Sequence, residues 1–355
     1  MRVRARPEQM RATFRLLLCA ALLQGCAALA AVSEAEMVEI ARRAGQGQVQ
    51  AREELQRLAE SGETLAEYSL GVLALLGRGV PHSEQRAAEL FTRAADKGYL
   101  PAAHNLAIIR EGNDTALRDL AAALRWYRYA AERGYAPSQA NLGRMLVEGI
   151  GTATDAGEAR SWLEKSAAQN DTLGQYRLGM LFVEGRGVDK DPARGAELVR
   201  LAAEKRLRDA QYRLALLHGT GTGVEKDDRK AIEWLQMAAN QRHADAQYLM
   251  AVALTRGLYG LPRSPETAAE WLRRAALQGH PGAEYELGVA FRTGRGVTRN
   301  LSEALGWFVK AAKSGHPEAI ETVRQIRESS EKQKSGAAVL PEIREVPLGP
   351  EPAKQ

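Results

Sequence analysis

The strongest constraint on this sequence is a 36-residue period. Leu70, Leu106, Leu142, Leu178, Leu214, Met250 and Leu287 share one position of it, with a single 37-residue step before Leu287, and Val323 opens an eighth copy. Self-similarity at such a period marks stacked units that cannot bury their apolar faces alone. Each copy reads as a helix, a Gly-rich turn, a second helix and a stop, most legibly from Gly282 to Pro317. The residue after each anchor is small: Gly71, Ala107, Gly143, Gly179, Ala215, Ala251 and Gly288. A small residue there lets a neighbouring helix approach to the ~8–10 Å of close packing.

The second helix repeats independently. All five Trp fall in one register, at Trp126, Trp162, Trp234, Trp271 and Trp307, with Leu90 and Leu198 in the remaining copies. Each Trp is expected to be the structural knob that fills the space between stacked hairpins. Paired glycines such as Gly221 and Gly223 supply the left-handed backbone where the chain reverses. Ser83, Asp119, Asp155, Asp191, Asp227, Ser264 and Asn300 stand where the second helix begins, as N-caps. Asp155 with Glu158, and Asn300 with Glu303, have capping-box spacing. The second helices then stop at Gly98, Gly134, Asn170, Gly279 or Gly315. Arg206 and Arg242 replace that stop, which predicts less sharply terminated helices there. Gly112-Asn113-Asp114 and the one-residue insertion in Gly257-Leu258-Tyr259-Gly260 predict local irregularity.

These motifs (A-x-Y-x-L-G, then G-x-G-V, then A-x-x-W-x-x-x-A-A, then G) resemble the Sel-one-like repeat (SLR), a relative of the tetratricopeptide hairpin, over about Ala66 to Ala319. The resemblance implies an all-α, right-handed α/α superhelical solenoid of about seven hairpins. It also implies that the first helices line a concave binding groove.

Outside the repeats the chain divides further. Residues 1–26 read as an export signal, with Arg2, Arg4, Arg6, Arg11 and Arg15 ahead of the short apolar run Leu16 to Leu23; Met10 is an alternative start. Leu22-Leu23-Gln24-Gly25-Cys26 resembles a bacterial lipobox, which implies lipidation of Cys26 and, with Ala27 following, an outer-membrane address facing the periplasm. Ordinary cleavage after Ala28-Leu29-Ala30 is the competing reading. Residues 31–62 read as a leading, capping hairpin, 63–327 as the solenoid, and 328–355 as a disordered, Pro-rich tail.

Export changes what the charge means. The segment 1–26 carries +4 of the formal +5, so the repeats are near neutral and nucleic-acid binding loses its support. Both cysteines, Cys19 and Cys26, also lie there, so the repeats hold no disulfide.

The candidate surface is a column of tyrosines two residues before the anchor: Tyr68, Tyr176, Tyr212, Tyr248 and Tyr285. Tyr offers large contact area at low rotamer cost, yet a side chain that recurs in this way also suits plain packing between hairpins. Arg144, Glu148, Glu184, Arg256 and Arg292 do not recur in every copy, so they are the specificity candidates of the partner-binding groove. His243, His280 and His316 share a turn position, too far apart for one metal at its ~2 Å ligand distance. No nucleophile with a unique His partner and no isolated acid pair stands out, so no catalytic residue, cofactor or metal is assigned. The expected function is a non-enzymatic cell-envelope scaffold or adaptor that binds a protein partner. Glycan binding, to peptidoglycan or exopolysaccharide, is the alternative, and a hydrolase a remote one.

Overall fold

A computed structural model describes residues 32–334, and among them it contains seventeen α-helices and no strand. The expected export segment, Cys26 and the stretch beyond 334 lie outside the described residues. The chain divides after Asp155 into two compact units.

The first unit pairs α1 (Glu34–Gly45) with α2 (Val49–Glu60), α3 (Thr64–Leu76) with α4 (Glu84–Asp96), and α5 (Leu100–Glu111) with α6 (Leu120–Glu132). It ends on α7 (Ala136–Glu148). The second unit begins with α8 (Ala156–Ala168). It then pairs α9 (Thr172–Glu184) with α10 (Pro192–Glu204), and α11 (Arg208–Thr220) with α12 (Asp228–Asn240). Next it pairs α13 (Ala244–Arg256) with α14 (Pro265–Ala276), and α15 (Pro281–Thr293) with α16 (Leu301–Lys313); α17 (Pro317–Lys334) closes it. Within each unit every helix packs on its sequence neighbour, and α1 also touches α3. The fold class is the all-α helical-repeat class.

The anchors are core: Leu106, Leu142 and Leu287 are fully buried. The small residue after them sets the hairpin spacing. A Cβ added at Gly288 would lie 2.7 Å from the Phe308 ring, and one at Gly195 would lie 2.6 Å from the Gly179 carbonyl oxygen. In the α9–α10 hairpin, glycine therefore faces glycine.

The Trp column fills the space between hairpins unevenly. Trp271 and Trp307 are buried, but Trp126, Trp162 and Trp234 are only half-buried. The following residue is buried in every hairpin: Phe91, Tyr127, Leu163, Val199, Leu235, Leu272 and Phe308. One residue is a 100° rotation on a helix, and within each unit that rotation turns the second side chain toward the first helix of its own hairpin, as Phe91 lies against Gly71 and Phe308 against Gly288. Three of the Trp, the buried Trp271 and Trp307 among them, also carry a cation three residues on over the ring. Lys165, Arg274 and Lys310 lie 4.1, 4.4 and 4.0 Å from the indole centroids.

Most caps form as the spacing requires. Ser83, Asp119, Asp191, Asp227 and Asn300 accept from backbone N–H groups in the first turn of the following helix. Ser264 does not cap; its hydroxyl bonds the Thr267 hydroxyl at 2.9 Å instead, leaving Pro265 to start α14. Glu158 accepts the Trp162 indole N–H at 3.1 Å, and Asn300 caps residues Ser302 and Glu303 with its own oxygen. A full capping box forms at Ser33 and Glu36, which the spacing analysis passed over.

Arg206 and Arg242 do not blur their helix ends. They take φ of 67° and 64°, beside 59° for Asn170, and α10 and α12 have the ordinary thirteen residues. The turn geometry is imposed by the hairpin, and a side chain held there costs about 1–2 kcal/mol. The irregularity at the second turn is real. Gly112 keeps a negative φ, and Asp114 builds a short turn by accepting from Ala116 N–H at 2.9 Å, which lets Leu117 insert into the core. In the sixth turn Tyr259 takes φ of 54° between Gly257 and Gly260, and its ring rests against Gly219.

The last helix overruns the 327 boundary by seven residues, to Lys334. Arg324 pairs with Glu321 and Glu328, while Ser329 and Ser330 bond the carbonyls four residues back. Local ion pairs support the helix past the last residues that pack on the core, Val323 and Ile326.

Candidate partner-binding surface

The Tyr and His columns, read separately from the sequence, are one construction. Tyr212 stacks on His243, Tyr248 on His280 and Tyr285 on His316, each at 4.6 Å between ring centroids. In the first unit Tyr68 meets Tyr99 edge-on at 4.9 Å, and Tyr135 meets His104 at 5.4 Å. Each partner ring at the end of one hairpin or start of the next therefore packs against an aromatic of the preceding first helix. Tyr68, Tyr176, Tyr212 and Tyr248 are half-buried and Tyr285 is buried. Burial pushes the phenols of Tyr176, Tyr212, Tyr248 and Tyr285 above their ordinary range.

The imidazoles also cap. His243 Nδ1 accepts from the Ala246 N–H at 3.3 Å and His280 Nδ1 from the Ala283 N–H at 3.0 Å. These bonds assign the ring proton to Nε2, which faces Asp209 at 3.5 Å and Asp245 at 3.2 Å respectively. Burial lowers the pKa of all three imidazoles, against the opposing pull of Asp209 and Asp245 on His243, Asp245 on His280, and Glu318 on His316. Arg208 and Arg213 lower His243 further. A group whose folded pKa is depressed below the unfolded ~6.5 is neutral by preference in the fold. Its stability is present above that value and is lost as the pH falls through it toward the folded pKa. The protein is expected to melt at a lower temperature at pH ~5.5 than at pH ~7.5, since His is the side chain that ordinarily titrates in that window. Replacing His243→Asn with His280→Asn keeps a cap acceptor without a titrating ring and should remove part of that difference. An unchanged difference would refute the tautomer assignment.

The tyrosine hydroxyls point to a column the motif reading missed, the residue just before each anchor. Tyr68 Oη accepts from Asn105 Nδ2 at 3.4 Å, Tyr176 bonds Arg213, and Tyr285 bonds Thr322. Glu286 holds the matching place beside Tyr248, and burial raises its carboxyl while Arg295 and Arg256 oppose. The frame around this column repeats, but the column itself does not. That contrast is its signal in the sequence.

The non-recurring charges take distinct roles. Arg144 is clamped between Glu111 and Glu148 (3.0 Å from the latter), and Glu111 also accepts from the buried Tyr127 hydroxyl at 3.2 Å. With a side chain 19% exposed, Arg144 joins α7 to α5 and is not a free cation. Glu184 pairs with Arg186 at 2.7 Å. Arg256 lies near Tyr248, and Arg292 near Tyr285 with its guanidinium 5.7 Å from the Phe308 centroid. Thus Tyr248, Tyr285, Arg256, Arg292 and Glu286 come together on α13 and α15. Tyr68 stands apart from Arg144 and Glu148 in the first unit.

A second buried column, three residues before the anchor, joins the hairpins. Gln139, Gln175, Gln211 and Gln247 are at most 4% exposed. Gln139, Gln211 and Gln247 donate to the carbonyls of Ala131, Ala203 and Ala239, eight residues back. Their oxygens, where bonded, accept from the end of the next second helix, as Gln211 does from Gln241 at 2.6 Å and Gln247 from Gln278 at 2.8 Å. Glu67 takes this place in the first unit, held by Lys97 at 2.7 Å and Arg93 at 3.3 Å. Among the described residues no group of His, Cys, Asp and Glu is arranged to hold a metal, and no helix is long and apolar enough to cross a membrane.

The Sel1 repeat family model matches seven consecutive segments, 64–99, 100–135, 136–171, 172–206, 208–243, 244–280 and 281–316. The chain is similar to a Sel1 repeat protein from Oxalobacter formigenes, at 28% identity and TM-score 0.61, over 82% of this chain and 86% of that one. It is also similar to c5321, a protective antigen of uropathogenic Escherichia coli strains with an SLR fold. That likeness has 29% identity and TM-score 0.58, over 94% of this chain and 70% of that one. No curated protein matches the chain.

Proposed function

Because the chain belongs to the Sel1 repeat family, whose members are generally non-enzymatic protein-interaction scaffolds, we propose that it is a cell-envelope scaffold that holds a protein partner on its first-helix faces. The observation that carries this is the column before the anchor. A frame of Leu, Gly or Ala, Tyr and Gln repeats, while Asn105, Arg213, Glu286 and Thr322 vary within it. Packing explains the frame; it gives no reason for the variation. A partner read residue by residue along the helices does. In the second unit Tyr176, Tyr212 and Tyr248 supply contact area and Glu184, Arg256 and Arg292 supply charge, while the buried Tyr285 supports the face from beneath through Thr322. In the first unit Tyr68 is the contact, with the Arg144–Glu148 pair as a fixed rim. The stacking on His243, His280 and His316 occupies one face of three tyrosines, which weighs against a sugar-stacking platform.

The address belongs to the same proposal. Residues 1–26 direct export, and a lipid on Cys26 holds the scaffold at the outer membrane, facing the periplasm. The test is crosslinking and affinity purification from the membrane fraction of cells that make wild type, Arg213→Glu or Cys26→Ala. Arg213 is exposed, so its reversal tests the face without opening the core. The reading expects one envelope protein to co-purify with wild type and to be lost with Arg213→Glu. It also expects Cys26→Ala to leave the membrane fraction. Recovery of the same partner by Arg213→Glu would remove the face from the reading, and unchanged fractionation of Cys26→Ala would remove the anchor.

A further inference from the structure

The leading hairpin lacks the ring that Tyr68, Tyr176, Tyr212, Tyr248 and Tyr285 supply at this place, where α5 has His104 and α7 has Ala140. Ile40 and Ala41 stand in α1 as Leu70 and Gly71 stand in α3, which puts Val38 where Tyr68 stands. Val38 is 63% exposed. No ring reaches from α1 toward Ser69, the counterpart of Asn105 and Arg213, which bond the preceding Tyr. What remains is an open cleft of about 450 Å³ between α1 and α3, lined by Val38 and Ala41 on one side and Tyr68, Val72 and Leu76 on the other. Leu76 is itself 55% exposed. A volume of this size is in the range of about 300–1,000 Å³ in which ligands are buried.

A helix that merely caps a repeat stack presents a polar outer side. This one presents an apolar floor, and the charge around the floor has one sign. Arg42 and Arg78 are among the lining residues and no carboxylate is. Arg78 is exposed; Arg42 is held by Glu39, which lies outside the lining, at 2.6 Å. We propose that this cleft binds a partner peptide that presents an apolar side chain between carboxylates. The apolar group replaces the missing ring against Val72 and Leu76, and the carboxylates meet the Arg42 and Arg78 guanidiniums in charge-assisted bonds. Charge complementarity selects the occupant: a basic or neutral apolar peptide gains the floor and forfeits the rim. The inference rests on the partner-face reading, with which it shares Tyr68, and extends it to a cleft with an apolar floor and a rim of its own.

The test is fluorescence anisotropy on the full chain with a dye-labelled peptide in which a leucine pair is flanked by glutamates. Binding is expected, with at least a tenfold loss when lysines replace those glutamates. Val38→Tyr puts in the ring that the tyrosine-bearing hairpins have and should weaken binding at least tenfold with the melting temperature kept. Arg78→Glu should weaken it by a similar factor. Tyr176→Ala with Tyr212→Ala should leave it unchanged, which separates this site from the partner face. The proposal is overturned if the acidic peptide does not bind, if the lysine peptide binds equally, or if Val38→Tyr has no effect. Displacement by dodecanoate at lower concentration than by unlabelled peptide would also overturn it, by making the cleft an acyl-anion site.

Discussion

Gly223→Ala is expected to destabilise the second unit by about 3 kcal/mol, whereas Gly221→Ala, two residues earlier in the same turn, should cost about 1 kcal/mol. Both glycines have positive φ, 73° at Gly221 and 70° at Gly223, so backbone strain alone predicts equal effects. Their surroundings differ. A Cβ at Gly221 would meet the Lys226 side chain at 3.2 Å, and a lysine stem can move aside. A Cβ at Gly223 would sit inside the van der Waals envelope of the Pro192 carbonyl, at the start of α10 in the preceding hairpin. Backbone at a helix start cannot yield without tilting one hairpin on the next. The same contact recurs at Gly296, against the Pro265 carbonyl, so Gly296→Ala should repeat the effect. Urea titrations of the two single variants decide the matter: equal losses would mean that the second glycine serves only the turn.

That distinction marks where the sequence stops being legible. The period, the anchors and the small residue after them are readable because each is a one-body requirement, a volume or a φ that one residue type meets. The Gly pair is also readable as a turn. The difference between its members is not, since it arises from a carbonyl about thirty residues away. The Trp column is legible only in part, since Trp271 and Trp307 are buried and the other three are half-buried. Its recurrence is visible, but a helix carries two large side chains in succession, as in Trp126-Tyr127, and only the packed hairpin decides which of them faces in. Arg206 and Arg242 show the reverse error, in which a local preference is overridden by geometry imposed from both sides. On the partner face, the tyrosines are legible as a column. Their pairing with His243, His280 and His316 is not, because it joins positions 31 or 32 residues apart. Arg144 looked like a free groove cation until Glu111 from the neighbouring hairpin closed on it.

Gln247→Glu is expected to cost about 3 kcal/mol near neutral pH, and the loss should be partly reversed by Gln278→Lys. The amide of Gln247 donates to the Ala239 carbonyl at 2.9 Å, and its oxygen accepts from Gln278 at 2.8 Å. A carboxylate there keeps the second bond, loses the first and turns negative oxygen toward a carbonyl at 3% exposure. An unpaired buried charge is penalised by about 3–5 kcal/mol. Two carboxylates stand at this place, and they are held differently: Glu284, 5% exposed, accepts from the Ser314 hydroxyl at 3.0 Å, whereas the first unit supplies cations. Glu67 is equally buried and is held by Lys97 and Arg93. In the register of the repeat Gln278 corresponds to Lys97, and Arg274 already stands where Arg93 does. Gln278→Lys on the Gln247→Glu background therefore rebuilds the Glu67 arrangement and should recover at least about 1 kcal/mol, while Gln278→Lys alone should gain nothing. The pH dependence has a definite sign. The new carboxyl is forced toward its neutral form in the single variant, so its penalty should shrink as the pH falls and the protonated acid donates to Ala239 again. If the double variant is no more stable than the single one, the Glu67 arrangement does not transfer to Gln247. The buried glutamines would then be fixed by the donors around each hairpin end and not by their place in the repeat.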